Sequence, residues 1–168
     1  MITLPWERGM RFARGVAEAL APFCSRPPMI VGSLRRRRPE AHDVDLLVVS
    51  GEWQALRKRA LERAHEICCG EEVFRLETTT GIQVDIYRAH ERSQDLGGEV
   101  PSNYGTMAVC KTGSKEFNVW MAQRAQRFGL HWNPSKGLFR DGTWVAGETE
   151  EELFAALEVE FMPPEQRR

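Results

Sequence analysis

The sequence predicts an α+β protein: a mixed or antiparallel sheet with helices on one side, then a small C-terminal α/β subdomain. Three observations carry that expectation. Strand-like apolar runs near 29–31, 44–49, 73–79 and 82–87 are interleaved with helical periods at 3–20 and 52–67. A polar stretch from Arg88 to Pro101, holding Gly97-Gly98, separates them from a second series of elements. That series starts at Ser102 and closes on Thr149-Glu150-Glu151-Glu152, a helix-capping pattern. The expected division is therefore 1–101 and 102–168.

Each element has its own signal. Met10, Ala13, Val16, Ala17 and Leu20 share one helical face, with Pro5 tolerated in the first turn and Pro22 ending the run. A short strand leads into Gly32-Ser33 and the basic run Arg35–Arg38. An apolar strand, Val44 to Val49, is entered through Asp43 and Asp45. Ser50-Gly51 closes it and opens a helix expected from Glu52 to about Ile67. Val73–Thr79 and Ile82–Tyr87 meet at Thr80-Gly81, a hairpin signal. Beyond the polar stretch come a short helix at 102–110 and a helix capped by Ser114 that Gly129 ends. A small sheet over 130–144, a last helix to about Leu157 and an extended tail complete the chain.

Lys and Arg number 23 against 24 Asp and Glu among 168 residues, but the charge is uneven. Residues 102–140 carry six basic side chains against one acid, whereas 141–168 carry eight acids against two arginines. The basic regions suit a phosphate-rich partner better than the balanced total suggests. Four cysteines lack C-x-x-C spacing and read as ordinary small buried residues. With neither a signal peptide nor an 18-residue apolar run, the sequence predicts a soluble, reduced, cytoplasmic protein without membrane contact.

The chemistry concentrates in IVGSLRRRRPEAHDVDLLVV. Residues two apart on a strand point to one face, so Asp43 and Asp45 crowd two carboxylates together. A divalent cation offsets that repulsion. Asp85, on the hairpin's second strand, joins them if that strand pairs with theirs. Magnesium prefers oxygen ligands and usually takes one or two carboxylates plus substrate phosphates. Gly32-Ser33 ends a strand where backbone amides and a hydroxyl can meet phosphate oxygens, and Arg35 and Arg36 add guanidinium donors. Taken singly, an Asp-x-Asp is usually surface decoration, Gly-Ser an ordinary turn and an arginine run a solvated face. Their joint order argues for a nucleotidyl-transfer site.

GSLRRRRPEAHDVDLLVV resembles the palm signature of the DNA polymerase β superfamily of nucleotidyltransferases. QVDIYRA resembles the strand that supplies the third metal carboxylate in family X DNA polymerases, and TGSKEFN their nucleotide-binding turn and helix. GLFRDG and VAGETEEELFAAL resemble the end of their C-terminal subdomain. The resemblance implies two Mg²⁺ ions, with Mn²⁺ a substitute, held by Asp43, Asp45 and Asp85. It also implies a nucleoside triphosphate contacted by Gly32, Ser33, Arg36, Gly113 and Asn118. DNA, as primer-template or gapped duplex, would lie along basic residues such as Lys111, Lys115, Arg124, Arg127 and Lys136. About 27 residues precede the palm, so a reduced, monomeric, two-subdomain form is expected, as in viral members, acting as a gap-filling repair polymerase.

Three positions depart from the family pattern. Cys110-Lys111 stands where an aromatic pair packs under the sugar, Ala122 where an arginine reaches the template side, and Gln83 where an arginine neighbours the third acid. The first, with the expected lack of N-terminal DNA-gripping domains, leaves open a template-independent transferase acting on RNA, protein or a small hydroxyl, and the second implies weak fidelity contacts. A non-catalytic nucleotide-binding module is the third alternative, and the intact acids argue against it.

Overall fold

A computed structural model describes residues 2–168. The α+β class holds, and the chain divides into two compact units, the first ending at Arg88 and the second spanning Ala89–Arg168.

The first unit runs β1 (Leu4–Pro5), α1 (Trp6–Leu20), β2 (Met29–Ile30), α2 (Gly32–Arg35), β3 (Glu40–Ala41), β4 (Asp43–Val49), α3 (Trp53–Ala60), β5 (Ala64–Cys69), β6 (Val73–Thr78) and β7 (Gln83–Ala89). Its main sheet has the order β2-β4-β7-β6-β5, while β1 and β3 form a separate pair. The alternation expected of strands sets the layers. Val44, Leu46 and Val48 of β4 join Phe74, Leu76, Val84 and Ile86 in one core with Ala13 and Leu20 of α1 and Leu56 of α3. The acids stand on alternate positions of the same strands. Burying one face against helices thus turns the Asp-bearing positions to the other.

The helix expected through Ile67 ends early. α3 stops at Ala60, a 3-10 turn covers Leu61–Arg63, and residues 64–69 become the edge strand β5. Cys68 and Cys69 pair with Arg75 and Phe74 across a bulge. Apolar residues at 60, 61 and 64 extend the helical period, but Ala64, His65, Glu66, Cys68 and Cys69 pair with the open edge of β6 instead, with Ile67 at the bulge. Both cysteines are exposed there, and Cys24 and Cys110 are half-buried, so burial is not their common role.

The second unit holds β8 (Ser93–Asp95), β9 (Gly98–Val100), α4 (Tyr104–Thr112), α5 (Lys115–Arg127), β10 (His131–Asn133), β11 (Gly137–Arg140), β12 (Thr143–Ala146) and α6 (Glu150–Ala156). The stretch expected as a connecting loop contains the β8–β9 hairpin, turned at Gly97-Gly98. Its ties run to the second unit: Asn103 Oδ1 accepts from His90 N at 2.8 Å, and Arg92 reaches Glu148 at 2.8 Å. These bonds explain why the unit boundary falls at Arg88/Ala89 rather than at 101/102. β10, β11 and β12 form the expected antiparallel sheet. Thr149 and Glu152 close both halves of the capping box. The tail is not simply extended: Pro164–Gln166 is a 3-10 turn, and Arg167 beyond it is fully buried.

Candidate functional site

The site of the first unit starts from strand order. β4 and β7 are neighbours in the sheet, which puts Asp43, Asp45 and Asp85 on adjoining strands as the sequence requires. Val31 N donates to Asp45 O at 2.9 Å, so the chain leaving β2 turns immediately beside Asp45. Gly32 makes that turn at φ 66°, and a Cβ there would lie 1.9 Å from Asp45 Oδ2. Glycine is required twice over, for its backbone angle and for the space the carboxylate fills. Helix α1 secures the turn from behind, because Trp6 Nε1 donates to Leu34 O at 2.9 Å.

Ser33 Oγ is buried and finds no hydrogen-bond partner among the described residues. Arg36 is close enough to Asp45 to pull its pKa downward. α2 itself is a single turn, too short to contribute a helix dipole; the hydroxyl and the guanidinium are its chemistry.

Electrostatic crowding is pronounced. Burial, then the neighbouring Asp43 and Asp85 carboxylates, push Asp45 up to about 7. Burial and Asp85 also raise Asp43, against opposing pulls from His42 and Arg75. Asp85 is only 2% exposed and is saturated with donors. Its Oδ1 accepts from Arg75 Nε at 2.7 Å and Gln83 Nε2 at 3.1 Å, and its Oδ2 from Arg75 Nη2 at 2.5 Å and the Tyr87 hydroxyl at 3.2 Å. The same hydroxyl lies 3.3 Å from Asp45 Oδ1. Burial and the two carboxylates hold the Tyr87 phenol well above its ordinary range, so it keeps its proton.

One buried and two half-buried, mutually repelling carboxylates are a hard-oxygen donor set suited to Mg²⁺. Even so, among the described residues no three His, Cys, Asp or Glu side chains are gathered closely enough to hold an ion as they stand. Two side chains keep the acids apart: Arg75 claims Asp85, and Tyr87 stands between Asp85 and Asp45.

In the second unit, Gly113 ends α4 at φ 64° and the Gly113–Ser114 peptide is cis. Ser114 Oγ then caps α5 by accepting from Phe117 N at 3.2 Å. Asn118, one turn along, donates through Nδ2 to Cys110 O at 2.8 Å, while its buried Oδ1 has no partner among the described residues. Burial raises the Cys110 thiol, against a smaller opposing effect of Lys111.

The basic residues separate into two kinds. Lys115, Arg127 and Lys136 are exposed and Lys111 is half-buried. Arg124 instead donates from Nε to Leu157 O at 2.9 Å and from Nη2 to Glu158 O at 3.0 Å, closing the carbonyl end of α6, and stacks on Phe128. It thus has a structural role within the second unit.

Sequence reasoning missed Arg75 and Tyr87. Both were within reach, since a hairpin centred on Thr80 pairs residues equidistant from it. Arg75 falls opposite Asp85, and Tyr87 falls two places from Asp85 on the same face.

Residues 107–168 match the family described as DNA polymerase beta thumb. No curated protein matches the chain. Among solved structures it is similar to Leishmania infantum polymerase beta in a ternary P/T complex, with a TM-score of 0.80 and 19% identity, covering 99% of this chain and 77% of that one. The ternary gap complex of the same polymerase gives a TM-score of 0.78 and 19% identity, covering 99% and 71%. The fold is therefore that of polymerase beta. The family match is carried by residues 107–168, and the likeness of the chain as a whole to these structures is one of fold. No helix among the described residues is long and apolar enough to cross a membrane.

Proposed function

We propose that the chain is a template-directed DNA polymerase of the gap-filling kind, adding a nucleotide to a primer 3′-hydroxyl. The observation that carries the proposal is the set of three carboxylates on adjoining strands, with Gly32 shaped around one of them. In support, both Leishmania structures are ternary polymerase complexes, one with a gapped substrate.

In this reading Asp43, Asp45 and Asp85 hold two Mg²⁺ ions, for which Mn²⁺ substitutes. Bound magnesium lowers the pKa of the attacking hydroxyl and neutralises the triphosphate. The chain's own groups do the rest. Asp85, fixed by Arg75, accepts the proton of the 3′-hydroxyl as its oxygen attacks the α-phosphorus. The bond from that phosphorus to the bridging oxygen breaks, and pyrophosphate leaves. Ser33, whose hydroxyl has no hydrogen-bond partner among the described residues, donates to a phosphate oxygen, and Arg36 adds charge-assisted donors. Gly113 lets the backbone approach the sugar, and Asn118 meets the base edge. Lys111, Lys115, Arg127 and Lys136 contribute phosphate contacts, which make affinity fall with salt.

Primer extension on gapped duplex with Mg²⁺ tests this reading. Wild type incorporates the templated nucleotide and Asp85→Ala does not; equal incorporation by the two, or none by wild type, rejects it. A second reading, template-independent transfer, is favoured by Cys110 and Lys111, which present no aromatic surface to a sugar. Incorporation onto single-stranded acceptors irrespective of template would select it.

A further inference from the structure

We propose that the Tyr87 hydroxyl holds the place of a divalent cation between Asp45 and Asp85, and leaves that place when the ion enters. The inference rests on the metal-site reading above and concerns a residue that reading does not use.

The donor count argues for it. An ionised carboxylate offers about four lone-pair sites. Asp85 receives four contacts: two from Arg75, one from Gln83 and one from Tyr87. A cation cannot ligate Asp85 until one of them withdraws. Arg75 is charged, bidentate and at 2.5–2.7 Å, so it is the hardest to remove. Gln83 donates to Oδ1 at 3.1 Å. Tyr87 is neutral, at 3.2 Å, and contacts both acids. One phenolic proton is shared between two carboxylate oxygens, one on each acid, at a position where a doubly charged ion would meet both.

The position also has suitable dimensions. The two carboxylate oxygens lie 3.2 and 3.3 Å from the phenolic oxygen. Mg²⁺–oxygen bonds are roughly 2.0–2.1 Å long, so each carboxylate closes by about 1 Å once the hydroxyl has gone. The side chain is half-buried rather than enclosed. Arg75 stays on Asp85 throughout and fixes its orientation. Tyr87 is thus a positioning residue that keeps two repelling acids in register and sets how tightly the ion is held.

Mn²⁺ titration followed by electron paramagnetic resonance tests the proposal on the full chain. Removing a neutral donor that competes at a charged acceptor tightens Mn²⁺ binding roughly tenfold in Tyr87→Phe. That gain disappears when Asp85→Asn is added. A Tyr87→Phe protein with a wild-type circular dichroism melt and unchanged or weaker Mn²⁺ affinity overturns the inference. The chain has only two tyrosines, Tyr87 and Tyr104, so 3-fluorotyrosine labelling gives an independent readout. The ¹⁹F resonance that Tyr87→Phe removes should shift on saturation with Mg²⁺, and a resonance that stays put while Mn²⁺ binds overturns the displacement. Equal Mn²⁺ affinities reject this inference alone, whereas no Mn²⁺ binding by wild type rejects the metal site beneath it.

Discussion

Arg75 and Asp85 face each other directly across β6 and β7, and the guanidinium grips both carboxylate oxygens, at 2.7 and 2.5 Å. Asp85 is 2% exposed, whereas the Arg75 side chain is 42% exposed. The pair therefore spans the boundary between interior and solvent. Arg75→Ala leaves a buried carboxylate with neutral donors only. The expected cost is about 1–3 kcal/mol, below that of a fully buried pair because solvent screens the arginine. Arg75→Lys, with a single-point ammonium in place of the planar fork, should fall between the two. Urea unfolding measures the stability, and extension assays should show turnover falling in the same order. An alanine variant as stable and active as wild type would show that the grip has no consequence.

The contact between Gly32 and Asp45 yields a sharper expectation. Gly32→Ala places a methyl where Asp45 Oδ2 now sits and forces a positive φ on an L-residue. Asp45 has to rotate away or β2 has to shift. Nucleotide incorporation should drop at least a hundredfold, whereas the melting temperature should fall by only a few degrees, roughly what ~1 kcal/mol of strain produces. Gly15, on the open face of α1 with nothing near its Cβ position, is the control: Gly15→Ala should leave incorporation unchanged and, as an exposed helix-interior replacement, raise the melting temperature slightly.

Asp45 also predicts how stability responds to pH without added metal. Its carboxyl titrates near 3.8 when unperturbed and at about 7 in the fold. Between those values the folded state binds more protons than the unfolded chain, so stability falls as pH rises. The contribution is full below the unfolded value and is lost through pH 7, with an upper bound of about 4 kcal/mol from the size of the shift. In chelator, the protein should melt higher at pH 5.5 than at pH 8. Asp45→Asn should flatten that slope, and Mg²⁺ should stabilise wild type more at pH 8 than at pH 5.5. An unchanged slope in Asp45→Asn would assign the effect to other groups.

Much of this arrangement was legible in the sequence, for identifiable reasons. Val44, Leu46 and Val48 alternate with Asp43 and Asp45, and the hairpin at Thr80 fixes the register of Asp85; periodicity and turn chemistry are local, so both could be read. The edge strand β5 could not, because His65 to Cys69 become a strand only when β6 offers an unpaired edge. The cap made by Arg124 was hidden for a related reason: its partners, the carbonyls of Leu157 and Glu158, lie 33 and 34 residues away. Charge read along a chain does not reveal which cations cap a distant helix. The Tyr87 bridge needed the neighbouring of β4 and β7, and tyrosine in a strand attracts no notice until two carboxylates are found on its hydroxyl.

The last prediction concerns Arg167, a charged residue with no exposed surface. Its Nη1 meets Glu150 Oε1 at 2.7 Å and its Nε donates to Met162 O at 2.8 Å. Phe154 lies 5.1 Å from the guanidinium carbon, and Phe117 and Phe161 each lie 5.6 Å away. Glu150 is itself buried in the first turn of α6, so the pair ties residue 167 to the start of that helix and to the aromatic core beneath it. Removing one partner of a buried pair strands the other charge, which typically costs about 3–5 kcal/mol. Arg167→Ala should lose stability on that scale in urea unfolding of the full chain. Arg168→Ala, one residue further and exposed, should stay within ~0.5 kcal/mol of wild type. Because much of the Arg167→Ala penalty is the stranded carboxylate, Arg167→Met combined with Glu150→Gln should recover part of it. If the double variant is no more stable than Arg167→Ala, the aromatic contacts of the guanidinium, and not the ion pair, hold this end of the second unit.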